Sequence, residues 1–365
     1  MKNSMGQALC VTLFGESHGE AVGAVLDGLA PGIAVDEVFI AHQLTLRRPS
    51  GKTGTARRET DAFRIVSGVF GGRTTGTPLC ILIPNSDTHS KDYAAARALA
   101  RPGHADYTAY CKYHGFEDYR GGGHFSGRVT AALVAAGAVV LPALREKGIA
   151  VGTHIARCAG VDDRTFGDLP ADINALSETA FAVLDADAAQ AMRAKIEAAQ
   201  KEGDSVGGVL ETAVAGMPAG VGEPWFDTVE GVLAHALFSV PAVKGVQFGA
   251  GFDMADAPGS AFNDSFRVED GKVVTTTNHN GGVNGGITNG MPIVFRTMVK
   301  PTPSIYKPQQ TVDFLQNENA ELQIAGRHDP AILHRARVVI DSVTALVLYD
   351  LLAVRYGTDY FGGGR

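Results

Sequence analysis

The longest apolar run in the chain, residues 131–144, is too short to span a bilayer and contains Pro142. It therefore reads as the middle of a buried helix over residues 128–147, stopped by Gly148. With 365 residues and 45% hydrophobic content, the chain has ample material for the core around it. Strand patterns cover residues 8–14, 22–26, 149–159, 206–214, 243–248 and 291–299. Residues 65–70 and 78–83 read as a hairpin joined across Gly71-Gly72. Helix patterns cover residues 36–47, with Asp36 as N-cap, and residues 107–113, 187–201, 230–239 and 336–356. No fixed-period repeat and no low-complexity linker divides the chain. The expectation is one α+β domain over residues 1–365, unusually large, with a loose tail from about residue 357.

The net charge of −7 disfavours non-specific binding to polyanions, and aromatic content of 7% disfavours base stacking. The charge is unevenly spread. Residues 41–73 carry Arg47, Arg48, Lys52, Arg57, Arg58, Arg64 and Arg73 against only Glu59 and Asp61, whereas residues 151–235 are strongly acidic. A local basic cluster on an acidic protein suggests a small anionic ligand. Cys10, Cys80, Cys111 and Cys158 show no CxxC spacing, so they read as reduced thiols with neither a disulfide framework nor a metal site. Residues 1–7 lack a signal pattern, and a cytoplasmic, non-membrane protein is expected.

Three distant segments set a His beside Gly with Arg or a carboxylate close by. They are Gly15-Glu16-Ser17-His18-Gly19, Arg101-Pro102-Gly103-His104-Ala105-Asp106 and Gly326-Arg327-His328-Asp329-Pro330. Glycine lets backbone approach a ligand, Arg holds anions, and His moves protons near neutral pH. The run Gly121-Gly122-Gly123 precedes Ser126-Gly127-Arg128 at a helix start, a place for a phosphate; neither a GxxxxGK[ST] loop nor a GxGxxG fingerprint is present. Asn278 to Gly286 and Lys300-Pro301-Thr302-Pro303-Ser304 together could shape a flat cofactor pocket. Taken singly, each loop also reads as an ordinary turn, the basic cluster as a solvated face, and Asp329 as a salt-bridge partner.

At these residues the sequence resembles the chorismate synthases, nearly end to end. The shared stretches include Gly15-Glu16-Ser17-His18-Gly19, Asp27-Gly28, Arg47-Arg48-Pro49, Arg64-Ile65-Val66-Ser67-Gly68-Val69-Phe70, Thr74-Thr75-Gly76-Thr77-Pro78 and Arg101 to Tyr107. Asp118-Tyr119-Arg120-Gly121-Gly122-Gly123, Lys201-Glu202-Gly203-Asp204-Ser205, Ala242-Val243-Lys244-Gly245-Val246 and Gly326 to Pro330 continue the match. The resemblance implies helices sandwiched between antiparallel sheets, a homotetramer, and no nucleic-acid or membrane partner. It implies a carbon–oxygen lyase that makes chorismate from 5-enolpyruvylshikimate-3-phosphate by anti-1,4-elimination of phosphate, the last step of the shikimate pathway. That reaction needs reduced FMN yet has no net redox change.

By matching motif, His18 would protonate the departing phosphate, His104 would support negative charge on the reduced flavin, and Asp329 would assist removal of the ring proton through flavin N5. Arg47, Arg48, Lys52, Arg128 and Arg327 would hold the substrate. His124, Phe125, Ser126, Ala242, Gly285, Lys300, Pro301, Thr302, Pro303, Ser304 and Arg327 match flavin-contacting positions. The chain departs from the family pattern in three places. His124-Phe125-Ser126-Gly127-Arg128 stands where Arg-Ser-Ser-Ala-Arg is frequent, Lys52 near a usual Arg, and Asp341 at a frequent Glu. If His124 replaces an Arg in holding an anion, it can do so only when protonated. Two other readings are an NAD(P)H-using flavin oxidoreductase of another kind, which the missing dinucleotide fingerprint opposes, and a non-catalytic phosphometabolite binder, which the proton-transfer residues oppose.

Overall fold

The computed structural model describes residues 2–48, 61–86, 97–324 and 329–362 of the chain. Its first antiparallel sheet contains β1 (Ser4–Met5), β2 (Cys10–Gly15), β3 (Ala21–Asp27), β4 (Arg64–Ser67) and, beyond the small hairpin of β5 (Val69–Phe70) and β6 (Arg73–Thr74), β7 (Leu79–Pro84). The strand order is β1-β2-β3-β7-β4. The second antiparallel sheet contains β8 (Ala150–Cys158), β9 (Val161–Asp162), β10 (Gly208–Ala215) and β11 (Val243–Phe248). Two side hairpins follow, β12 (Phe266–Glu269) with β13 (Lys272–Thr275) and β14 (Val283–Asn284) with β15 (Ile287–Thr288). The chain then supplies β16 (Ile293–Val299), giving the sheet order β11-β16-β10-β8-β9. A last hairpin pairs β17 (Gln309–Asp313) with β18 (Glu318–Leu322).

The helices are α1 (Glu37–Arg47), α2 (Asp106–Tyr113), α3 (Thr130–Glu146), α4 (Leu169–Ser177), α5 (Ala186–Lys201), α6 (Val229–Leu237), α7 (Gly259–Phe262) and α8 (Leu333–Tyr356), and α3 and α8 fill the space between the sheets. α3 rests on β3 and β7, α8 rests on β8 and β10, and the two helices pack on each other. This is the sandwich that the resemblance implies. By length and composition alone α3 and its preceding turn could cross a membrane; here they form a core helix, buried along most of their length. Small residues bring α3 close to α8. At Gly137 an added Cβ would overlap the side chain and backbone of Ser342, so a larger residue would force the helices apart.

The helix over residues 36–47 starts where expected, with the Asp36 side chain accepting from the Phe39 N–H at 2.9 Å. Two sequence expectations change. Gly71-Gly72 closes only the two-residue hairpin of β5 with β6, while β4 pairs with β7. The cause is Gly68, whose left-handed backbone (φ 83°) presses on Leu79 and ends the pairing of the longer strand. The tail expected to be loose from residue 357 packs as far as Phe361, which is buried and stacks on Tyr349 with ring centroids 4.1 Å apart. The Tyr349 hydroxyl in turn accepts from the Ala30 N–H.

Two buried ionisable groups on α8 oppose each other in pH dependence. Burial pushes His334 down from 6.5 to about 4, helped by the neighbouring Arg335. Both its ring nitrogens lack a hydrogen-bond partner among the described residues. Burial pushes Asp341 up from 3.8 to about 6, against the pull of Arg337 and of the Thr153 hydroxyl at 2.6 Å. Below its ordinary value the unfolded chain takes a proton that folded His334 refuses, so its contribution falls as pH drops from 6.5 toward 4. Asp341 does the reverse, losing stability as pH rises from 3.8 through 6. We expect unfolding titrations between about pH 4 and 6 to show this as opposite slopes, each up to about 1.4 kcal/mol per pH unit. Relative to wild type, His334→Phe should gain stability on the acid side and Asp341→Asn on the neutral side. Two variants with slopes parallel to wild type would contradict the assignment.

Candidate active site

Folding brings the ends of β2, α1, α3 and α8 around one cavity of about 1700 Å³. His18, Arg47, Arg48, His104, His124, Phe125, Ser126, Arg128, Ala242, Lys300, Thr302, Pro303, Ser304 and Asp329 all line it. Segments separated by more than three hundred residues thus meet, as the repeated His and Gly motifs suggest. Lys52, Arg57, Arg58 and Arg327 lie outside the described residues. Pro301 and Gly285 are not on the cavity wall of the single chain, and neither is any residue from 278 to 286. That loop is instead gathered by Asp264, which accepts from the Thr277 hydroxyl and the backbone N–H groups of His279 and Asn280. The expectation that it shapes a pocket together with residues 300–304 is therefore not met within one chain.

The glycine run has a steric task. Gly121, Gly122 and Gly123 all adopt left-handed backbone, with φ of 59°, 84° and 55°. A Cβ on Gly121 would overlap the His18 ring, and one on Gly122 would sit 3.1 Å from His104 Cε1. The run is a bare ridge between the two histidines: a side chain at Gly121 has no room beside His18, and one at Gly122 would crowd His104. It is tied to the β2 loop by the Ser17 N–H donating to the Gly123 carbonyl and by His124 Nδ1 donating to the Gly15 carbonyl at 2.7 Å. That second bond commits His124 Nδ1, so an anion can meet this ring only through Nε2.

Polar contacts connect the candidates into a chain. Asp329 is paired with Arg335, whose Nε donates to the Arg47 carbonyl at 2.9 Å. Arg47 donates to one oxygen of Asp61 at 2.8 Å, and Arg128 donates to the other. Arg128 Nε then reaches Asn85 Oδ1 at 2.8 Å, and the Asn85 amide holds the carbonyls of Glu16 and Gly19 around His18. Burial alone would raise the pKa of Asp61, but Arg47 and Arg128 outweigh it and hold the carboxyl below its usual range. The buried basic cluster is thus partly neutralised from within.

The Chorismate synthase family model matches residues 9–353. The chain belongs to the chorismate synthase family. It is 46% identical over 350 residues to the chorismate synthase of Thermococcus kodakarensis, covering 96% of this chain and 97% of that protein. It is 46% identical over 355 residues to that of Aeropyrum pernix (97% and 93% covered) and 45% identical over 361 residues to that of Dehalococcoides mccartyi (98% of each). A solved structure described as a crystal structure of chorismate synthase superposes with a TM-score of 0.76 at 28% identity, covering 97% of this chain and 94% of that one.

Within this member of the chorismate synthase family, several residues on or behind the cavity wall carry no advance signal of their role. Asp61 sits among arginines in the sequence, but its bridging of Arg47 and Arg128 exists only after β4, α1 and α3 assemble. Asn85, Arg335 and the side-chain pairing of Arg101 with Asp106 are likewise through-space facts. Asp61→Asn should leave two buried guanidinium groups facing each other, costing roughly 3–5 kcal/mol in denaturant unfolding. Added inorganic phosphate should then restore stability more steeply than in wild type, since an anion can take the carboxylate's place. Equal stability and an equal phosphate response would show that Asp61 does not hold this pair.

Proposed function

We propose that the chain converts 5-enolpyruvylshikimate-3-phosphate to chorismate by anti-1,4-elimination of phosphate, using reduced FMN held in the cavity beside the substrate. The observation that carries this reading is the meeting of His18, His104 and Asp329 on one cavity wall in a chain of this family.

The wall residues suit a flat, polar-edged cofactor. The buried Thr302 hydroxyl has no hydrogen-bond partner among the described residues, which is the state of a group awaiting a ligand. Lys300, Ser126 and Ser304 add an ammonium and hydroxyls, and Phe125, Ala242 and Pro303 add apolar surface. We assign these residues, with His124, Pro301 and Arg327, to FMN. Gly285 would join them only through another copy of the chain, in keeping with a homotetramer. Phe226, Trp225 and Phe252 are strongly exposed on the single chain, which supports such an assembly. We place the enzyme in the cytoplasm.

Reduced FMN, when bound, supplies electron density to a reaction that ends with no net redox change. The chain's own residues do the rest. Arg47, Arg48 and Arg128, with Lys52 and Arg327, hold the substrate phosphate and carboxylates out of water, a burial that would cost several kcal/mol per unpaired charge. His18, held against the glycine ridge, gives a proton to the departing phosphate. Asp329 takes the ring proton, with Arg335 fixing its carboxylate. His104 exchanges a proton with the cofactor site.

Anaerobic phosphate release should require reduced FMN and stop with the oxidised form; equal turnover with oxidised FMN, or with none, would refute the reading. His18→Ala, His104→Ala and Asp329→Asn should each slow turnover by roughly 10²–10⁴-fold while the fold survives. Near-wild-type rates in all three would place the chemistry elsewhere.

A further inference from the structure

The turn that carries His104 is closed by a carboxylate with no role assigned above. Asp106 opens α2, and its side chain turns back over the turn instead of capping the helix. Its Oδ2 accepts from the Arg101 backbone N–H at 3.0 Å and from Arg101 Nε at 2.7 Å. Its Oδ1 accepts from the other arm of the Arg101 guanidinium at 2.6 Å and lies 2.9 Å from His104 Nδ1. The fork-to-fork pairing with Arg101 leaves Asp106 little freedom to rotate. Burial would raise the Asp106 pKa, but Arg101 and His104 outweigh it and keep the carboxyl well below the usual range. The oxygen that faces His104 is therefore an anion at any working pH.

A ring nitrogen lone pair cannot lie against an anionic oxygen at that distance without repulsion, so Nδ1 must carry the hydrogen. Among the described residues, the rival donor to Nδ1 is the Arg101 guanidinium nitrogen, 3.1 Å away and already committed to Asp106. The carboxylate contact is the shorter and the charge-assisted one, and it wins. The opposite edge of the ring, Cε1 and Nε2, rests against Gly122, where even a Cβ would lie 3.1 and 3.4 Å from these atoms. Ring orientation and tautomer are thus set from two sides.

We propose that Asp106, pinned by Arg101, is a positioning residue that locks His104 as the Nδ1–H tautomer, so that the proton His104 exchanges sits at Nε2. This rests on the reading of His104 as part of the reaction site. Asp106 also lines the cavity, and in this role it acts through the imidazole.

The test is a long-range ¹H–¹⁵N spectrum of the full-length protein labelled at histidine nitrogens, recorded at about pH 8, where an ordinary imidazole is neutral. His104→Ala identifies the His104 signals by their loss. In wild type, the protonated nitrogen of His104 should be Nδ1, and a proton on Nε2 alone would overturn the proposal while leaving the catalytic reading intact. In Asp106→Asn, whose amide can donate to Nδ1, the proton should move wholly or partly to Nε2. His124, bound through Nδ1 to the Gly15 carbonyl, should not change and serves as the internal standard. Turnover of Asp106→Asn should fall about 10–10²-fold with little change in substrate KM, as for loss of a group that orients a reacting side chain. The same substitution in a His104→Ala background should cost nothing further. An unchanged tautomer, or a loss that adds to that of His104→Ala, would overturn the role. Full turnover by His104→Ala would remove the catalytic reading and this proposal together.

Discussion

The contact between α3 and α8 at Gly137 and Ser342 sets the scale of the whole molecule. Two helices that approach this closely share a core with no slack, and each is pressed against its own sheet on the far side. Their N-terminal ends therefore cannot drift relative to each other. α3 begins just after Arg128, and α8 begins just after Asp329 and carries Arg335 in its first turn. The placing of cationic and acidic groups around the cavity is thus inherited from packing that lies deep in the interior.

From that base the site is built by relay. No single element presents the full set of groups; Asp329, Arg335, Arg47, Asp61, Arg128 and Asn85 pass contact from the start of α8 to the loop around His18. Members of such a relay are worth more together than apart, because loss of one strands a buried charge on the next. The same logic explains why the arginines do not simply repel: Asp61 lies between two of them.

Much of this fold is legible in the sequence wherever an element carries a strong period or a clear stop. The caps and ends of α1, α3 and α5 follow from Asp36, Gly148 and Gly203. α4 has a good cap in Asp168 and a Pro in its first turn, yet it buries only Asp172, Ile173 and Leu176, too thin a stripe to stand out. The β4–β7 pairing is hidden because Gly68, not the more conspicuous Gly71-Gly72, decides where the strand ends. At the site, motif matching finds His18, His104 and Asp329, residues whose chemistry shows in their type. It does not find Asp61, Asn85 or Arg335, whose importance lies in whom they touch. Sequence distance carries no information about that until the sheets and helices have closed on one another.

The ridge of Gly121, Gly122 and Gly123 imposes a demand of a different kind from any side chain. An arginine can be approximated by a lysine and an aspartate by a glutamate, because there the requirement is for something present. Here it is for atoms to be missing, in a backbone shape that other residues adopt only with strain. Absence has no near neighbour in the genetic code. A single added methyl group can damage this stretch, and no compensating change of charge or polarity can repair it.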